Sequence, residues 1–287
     1  MKIRAVLYLC IVFMLTQPVA AQNKKSNGTT EAKPFVLGVV DEYHSAQLNE
    51  NRILNIYLPE GYDPDNGTKY PVIYLLDGSA DEDFIHVVGL LQFYNFDWIN
   101  LVPKSIVVGI ASVDRQRDFT FPTTVAEDRK KYPTTGHSDR FMAFIEKELQ
   151  PYIEKKYHAG TERTIIGQSL GGLLATEILF KKTQLFNRYI IISPSLWWDN
   201  GSLLNEQTPN LRDVAVYLAV GKEGLTPTAT PRVMEVDANV LSEKLKKSGT
   251  EGADIYFDYL PEENHATIMH QAVMNAFKYL YRTVPKK

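Results

Sequence analysis

Residues 164–172 read Thr-Ile-Ile-Gly-Gln-Ser-Leu-Gly-Gly. Arg163 to Gly167 (RTIIG) predicts a strand buried on both faces, and the compact apolar run Leu170 to Lys182 predicts a helix. Between them lies G-x-S-x-G, with Ser169 at its centre. A serine on so sharp a strand-to-helix turn is lifted out of the sheet, and side chains at the flanking glycines would collide with neighbouring backbone. The turn also aims the first amides of the new helix at any negative charge that develops beside the hydroxyl. The bare pattern recurs by chance in long chains. The strand before it, the helix after it and the residues downstream give it weight.

Working outward, further runs predict strands: Phe35 to Val40, Arg52 to Leu58, Pro71 to Leu76 (PVIYLL), Ser105 to Ile110 (SIVVGI), Tyr189 to Ile192, Val214 to Val220 and Asp254 to Leu260. Continuous apolar runs such as PVIYLL fit strands covered on both faces, as in parallel sheets. Helical spacing appears in Ser138 to Tyr157, with Ser138 as the expected N-cap, and in Met234 to Lys247 and Ala266 to Tyr281. Buried runs alternating with helices predict an α/β fold, a mostly parallel central sheet flanked by helices in a single domain. Ala111 to Gly136, between a strand and a helix, is long enough for a lid or binding loop.

A serine hydroxyl is a weak nucleophile at neutral pH and needs a base, which in turn needs an orienting group. After a strand–turn–helix serine, the partners follow in the order acid, then histidine. His44, His86, His137 and His158 precede Ser169 and fall in the wrong order. His265 sits in the polar loop Pro261-Glu262-Glu263-Asn264-His265 directly after the last strand, whereas His270 lies further along the terminal helix. The expected base is His265. The acid should follow the strand before the last one, where Gly221-Lys222-Glu223-Gly224 stands, so Glu223 is the expected acid. Asp237, Glu235, Glu262 and Glu263 are its rivals, and a dyad without a dedicated acid is also open. The oxyanion donors are expected to be the amides of Leu170 and of Ser79, in the turn Asp77-Gly78-Ser79 after an early central strand.

Several segments outside this constellation carry a family likeness. They are Asn55 to Tyr62 (NIYLPEGY), Tyr70 to Gly78 (YPVIYLLDG), Val108-Gly109-Ile110 with Asp114 to Asp118 (DRQRD), Phe144 to Pro151 (FIEKELQP) and Ile192 to Trp198 (ISPSLWW). From about Phe35 to Tyr281 the chain resembles the family of esterases that includes esterase D, enterobactin-type siderophore esterases, feruloyl esterases and the mycolyltransferases. The resemblance implies an α/β-hydrolase sheet and a Ser-acid-His mechanism without metal or organic cofactor. It carries over to Ser169 and His265, while Gly221-Lys222-Glu223 matches the family's glycine-plus-acid pattern only loosely. Trp197 and Trp198 could stack on sugar or catechol rings or pack as core beneath the site. Arg117 could reach substrate or pair with Asp118 at the pocket rim.

The N-terminus has a separate logic. Lys2 and Arg4, the uncharged apolar run Ala5 to Leu15 and the small residues before Gln22 have the layout of a secretory signal peptide, residues 1–21. The apolar run is short of the ~20 residues that span a bilayer. Residues 22–34 (QNKKSNGTTEAKP) read as a disordered tether, and 35–287 as the esterase domain. Cleavage would remove Cys10, the only cysteine, and with it disulfides, thiol catalysis and cysteine-ligated metal. It would also shift the net charge from −3 to −5, through loss of Lys2 and Arg4. No basic block or stripe is present, which argues against nucleic acid or an anionic membrane surface as partner. The expectation is an exported enzyme, periplasmic or extracellular, acting on a small-molecule or glycan-linked ester. Acyl transfer to an alcohol uses the same residues. A carbohydrate- or siderophore-binding protein on a hydrolase scaffold would have no use for the strained serine turn.

Overall fold

Eight strands form one sheet in the computed structural model, in the order β1-β2-β4-β3-β5-β6-β7-β8. The structure describes residues 32–226, 228 and 230–282. The expected leader and nearly all of the expected tether lie outside them. From Leu37 onward the chain forms one compact unit.

The strands are β1 (Val39–Ser45), β2 (Glu50–Tyr57), β3 (Val72–Leu76), β4 (Ile106–Ile110), β5 (Arg163–Gln168), β6 (Arg188–Ile192), β7 (Ala215–Gly221) and β8 (Asp254–Leu260). β1 and β2 form an antiparallel hairpin, and β2 also runs antiparallel to β4. The remaining pairs, from β4 through to β8, are parallel. The fold is that of an α/β hydrolase. The first strand lies further along than the sequence suggests, at Val39–Ser45 rather than Phe35–Val40. Its charged residues suit a sheet edge, so the apolar signal pointed to the wrong end of the segment.

Alternation along the inner strands builds two cores. Val72, Tyr74 and Leu76 of β3 face one cluster, and Ile73 and Leu75 face the other. The first is covered by α4 (Ser138–Phe144), α5 (Gln150–Lys156), α6 (Leu170–Lys181) and α7 (Met234–Lys246). The second is covered by α1 (Phe84–Asn95) and α8 (Ile268–Leu280). Two short helices, α2 (Arg115–Phe119) and α3 (Ala126–Lys131), lie within the long segment after β4.

The helix expected over Ser138 to Tyr157 is present but is interrupted by a π-helical turn at Ile145–Leu149. Ser138 is not its N-cap. His137 occupies that position, and the buried Ser138 hydroxyl has no partner among the described residues. Among the described residues no helix is long and apolar enough to cross a membrane.

Candidate active site

β5 ends at Gln168 and α6 begins at Leu170, leaving Ser169 alone to make the turn. Its backbone is at φ 59°, ψ −119°, a region that non-glycine residues occupy only under constraint. Three backbone hydrogen bonds supply that constraint. The Ser169 amide donates to Ile192 O at 3.0 Å, and its carbonyl accepts from Leu173 N at 2.9 Å and Ser195 N at 3.0 Å. The glycines are required by close approach. A Cβ on Gly172 would lie 2.9 Å from Ile192 O and 3.0 Å from Pro194 Cα, and one on Gly167 would overlap Gly171 O.

The loops after β7 and β8 bring Glu223 and His265 together. Glu223 Oε2 lies 2.7 Å from His265 Nδ1, and the Glu223 side chain is only 2 % exposed. The two loops are pressed against each other. Lys222 N donates to Glu263 O at 2.7 Å, and a Cβ on Gly221 would lie 2.7 Å from that same oxygen. Burial raises the Glu223 carboxyl, but hydrogen bonds from His265 and Ser193 outweigh it and hold the group below the ordinary carboxylate range. It is therefore ionised at neutral pH, as an acceptor for an imidazole N–H must be.

Two of the rival carboxylates, Glu235 and Asp237, are occupied elsewhere. Glu235 accepts the amides of Glu223 and Gly224, holding their turn, and Asp237 is paired with Arg232. Ser169 and His265 line one cleft, although no hydrogen bond joins them among the described residues. The nearest side-chain partner of Ser169 Oγ is Ser195 Oγ, at 3.4 Å.

Of the two expected oxyanion donors, Leu170 lines the cavity beside Ser169. Gly78 N is taken by Ile110 O at 3.0 Å, while the Ser79 amide has no hydrogen bond among the described residues. Both tryptophans line the cavity beside Ser169: Trp198 is buried, with its indole N–H donating to Phe121 O at 2.8 Å, and Trp197 is partly exposed.

Arg117 requires a correction. It does not line the cavities at Ser169 but belongs to an ion-pair network with Glu50 and Asp118, and those hydrogen bonds push its guanidinium up. Arg115, two residues earlier, lines both cavities and forks onto Asp77 at 2.9 and 3.1 Å. The segment Ala111 to Gly136 does line the pocket, through Arg115, Gln116, Thr120, Tyr132 and Thr135.

Sequence reasoning missed Gln168, Ser193 and Ser195. Gln168 Nε2 donates to His265 O, tying the histidine loop to the serine turn, and Ser193 Oγ donates to Glu223 Oε1. Their partners are remote in sequence, and only their nearness to the serine turn and to the ISPSLWW segment could have singled them out. Among the described residues no group of three or more His, Cys, Asp or Glu side chains could hold a metal ion.

A serine on a strained strand-to-helix turn at the carboxyl edge of a parallel sheet, with a histidine in the same cleft, defines a serine hydrolase of the α/β-hydrolase fold. The family model described as "Putative esterase" matches residues 45–272, and the chain belongs to that family. It is 28 % identical over 277 residues to the ferri-bacillibactin esterase BesA of Bacillus subtilis, covering 90 % of this chain and 94 % of that one. Among solved structures, an IroE-like serine hydrolase from Shewanella oneidensis superposes with a TM-score of 0.74 at 31 % identity, over 85 % of this chain and 80 % of that one. The BES protein from Bacillus cereus gives 0.73 at 27 % identity, over 88 % and 99 %. The chain is a carboxylic ester hydrolase of the serine type.

Proposed function

We propose that this is an exported serine esterase working through a Ser169–His265–Glu223 triad and an acyl-enzyme, with small-molecule esters of the siderophore-lactone type as substrates. The observation that carries the reading is the 2.7 Å contact between the buried Glu223 carboxylate and His265 Nδ1, beside the strained Ser169 turn. The substrate class is supported by relatives named as ferri-bacillibactin and enterobactin esterases. Export rests on the leader-like residues 1–21, followed by a tether over 22–34 and a catalytic domain over 35–287.

In this mechanism Ser169 Oγ attacks the ester carbonyl while its proton passes to His265 Nε2. Glu223 fixes the tautomer and stabilises the imidazolium. The carbonyl oxygen, now an oxyanion, accepts hydrogen bonds from the amides of Leu170 and Ser79. Collapse breaks the ester C–O bond, and His265 protonates the departing alkoxide. Water, deprotonated by His265, then attacks the acyl-serine; the C–Oγ bond breaks, His265 returns the proton to Ser169 Oγ, and the acid is released.

The test is hydrolysis of p-nitrophenyl acetate and butyrate by wild type, Ser169→Ala and His265→Ala, with fluorophosphonate labelling alongside. Both variants should lose turnover while remaining folded, and the label should attach to wild type but not to Ser169→Ala. A folded wild type that is inert and unlabelled, or a Ser169→Ala enzyme near wild-type rate, overturns the proposal.

A further inference from the structure

Two cavities meet at Ser169, and they differ in both chemistry and charge. One, about 200 Å³, is lined by Leu170, Tyr132, Trp197 and Ser195, together with Arg115. The other, about 450 Å³, contains His265 with Gln168, Asp77, Glu82 and Asp83, and shares Arg115. A histidine that protonates the leaving oxygen must face it. The alcohol part of the ester therefore belongs on the His265 side. The acyl group belongs in the aromatic cavity, next to the Leu170 amide.

The charges on the His265 side do not cancel. Asp77 is compensated, because Arg115 holds both of its carboxylate oxygens and Ser112 Oγ adds a bond at 2.6 Å. Glu82 and Asp83 form no ion pair or side-chain hydrogen bond among the described residues. Burial and the neighbouring Asp77 push the Asp83 carboxyl up, with His86 and His270 drawing it back. Among the described residues the cleft therefore keeps two carboxylates with free acceptor positions, and apart from the imidazoles of His265, His86 and His270 the cation beside them is Arg115, already engaged by Asp77.

We propose that this cleft is the leaving-group site, and that Glu82 and Asp83 make it select alcohols carrying a cation or N–H donors over alcohols carrying an anion. The inference rests on the serine-esterase reading above and adds to it which side of Ser169 holds which half of the ester. No covalent step beyond that mechanism is involved.

The test uses one acyl group and three alcohols: butyrylcholine, 2-hydroxyethyl butyrate and butyrylglycolate. Two carboxylates within a few ångströms of the bound charge should favour the cationic over the anionic ester by about tenfold in kcat/KM at low ionic strength, and added salt should shrink that ratio. The double variant Glu82→Gln/Asp83→Asn should bring the ratio near one. Glu82→Lys, on an exposed side chain that folding does not depend on, should move it in the same direction and beyond. A wild-type ratio near one, or a ratio that Glu82→Lys does not move, overturns the proposal while leaving the esterase reading intact. Failure to hydrolyse any of the three, with Ser169 unlabelled by fluorophosphonate, overturns the esterase reading and this proposal with it.

Discussion

Replacing Glu223 by Gln tests how much of the catalysis depends on a buried negative charge. The substitution is nearly isosteric, so packing is preserved, but the 2.7 Å contact to His265 Nδ1 loses its charge. An imidazolium about 4 Å from a carboxylate gains roughly 4 kcal/mol at an effective dielectric near 20. Glu223 is buried, but the His265 side chain is 45 % exposed, so water screens part of that attraction. A retained 2–3 kcal/mol corresponds to a loss of about 10²-fold in kcat. The loss falls on kcat rather than KM, because the imidazolium exists only once the proton has moved. The assay is steady-state hydrolysis of p-nitrophenyl butyrate, with fluorophosphonate labelling to count competent serines. A Glu223→Gln enzyme within threefold of wild type, beside an inert Ser169→Ala, would refute the reasoning and leave a serine–histidine dyad.

Asp41 joins β1 to α5 by accepting from Lys156 Nζ at 2.7 Å, Tyr157 OH at 2.7 Å and Tyr152 OH at 2.8 Å. Burial raises its carboxyl, but these bonds more than offset that and hold it below its ordinary value of 3.8. A depressed folded value contributes stability above the unfolded pKa that is lost as pH falls through the folded one. Asp41→Asn should therefore cost about 1–2 kcal/mol at pH 7, and the cost should shrink progressively as pH falls below 3.8 through the lowered folded value, read by urea unfolding across that range. Asp83 is raised instead, so Asp83→Asn should stabilise the protein at neutral pH and not in acid. Gly167→Ala forces a Cβ onto Gly171 O; it should cost about 3 kcal/mol in the same assay and abolish fluorophosphonate labelling. Arg52 is fully buried and pairs with Asp118 and Glu50. Arg52→Met should cost about 3 kcal/mol because Asp118 stays buried with Arg117 as its remaining cation; a loss under 1 kcal/mol would show that Arg117 suffices.

The central strands were legible because a strand covered on both faces has to be written almost entirely in apolar residues, as PVIYLL and SIVVGI are. Their order placed the Glu223 and His265 loops at the ends of adjacent strands β7 and β8, and there the two side chains meet. α1 was not legible. Phe84–Asn95 (FIHVVGLLQFYN) is apolar nearly all round and has no polar face to mark a helical period. β1 was displaced because an edge strand carries charges that break the β signature. Arg115 escaped notice for a different reason. A polar residue's role depends on its partner, and Asp77 is 38 positions away in sequence, a separation no local pattern encodes.

The loop after β6 holds together the strands on either side of it. Ser193 is buried at φ 41°, with its amide on Ala219 O of β7 at 2.8 Å and its hydroxyl on Glu223. Two residues on, Ser195 N holds the carbonyl of Ser169 on the other side. Position 193 thus has two separable functions, a left-handed backbone and a hydroxyl, and two substitutions divide them. Ser193→Ala and Ser193→Gly both remove the donor to Glu223, so its carboxyl should rise toward its ordinary value. kcat should fall by about tenfold in each, the effect of one charge-assisted hydrogen bond, with the acid limb of the pH–rate profile moved upward. Stability should separate them, because glycine adopts positive φ freely and alanine does not; the Gly variant should be the more stable by about 1 kcal/mol. If Gly restored wild-type kcat where Ala did not, the backbone at 193 and not its hydroxyl would be what aligns the acid. Equal losses with the shifted profile would make Ser193 a positioning residue acting through Glu223.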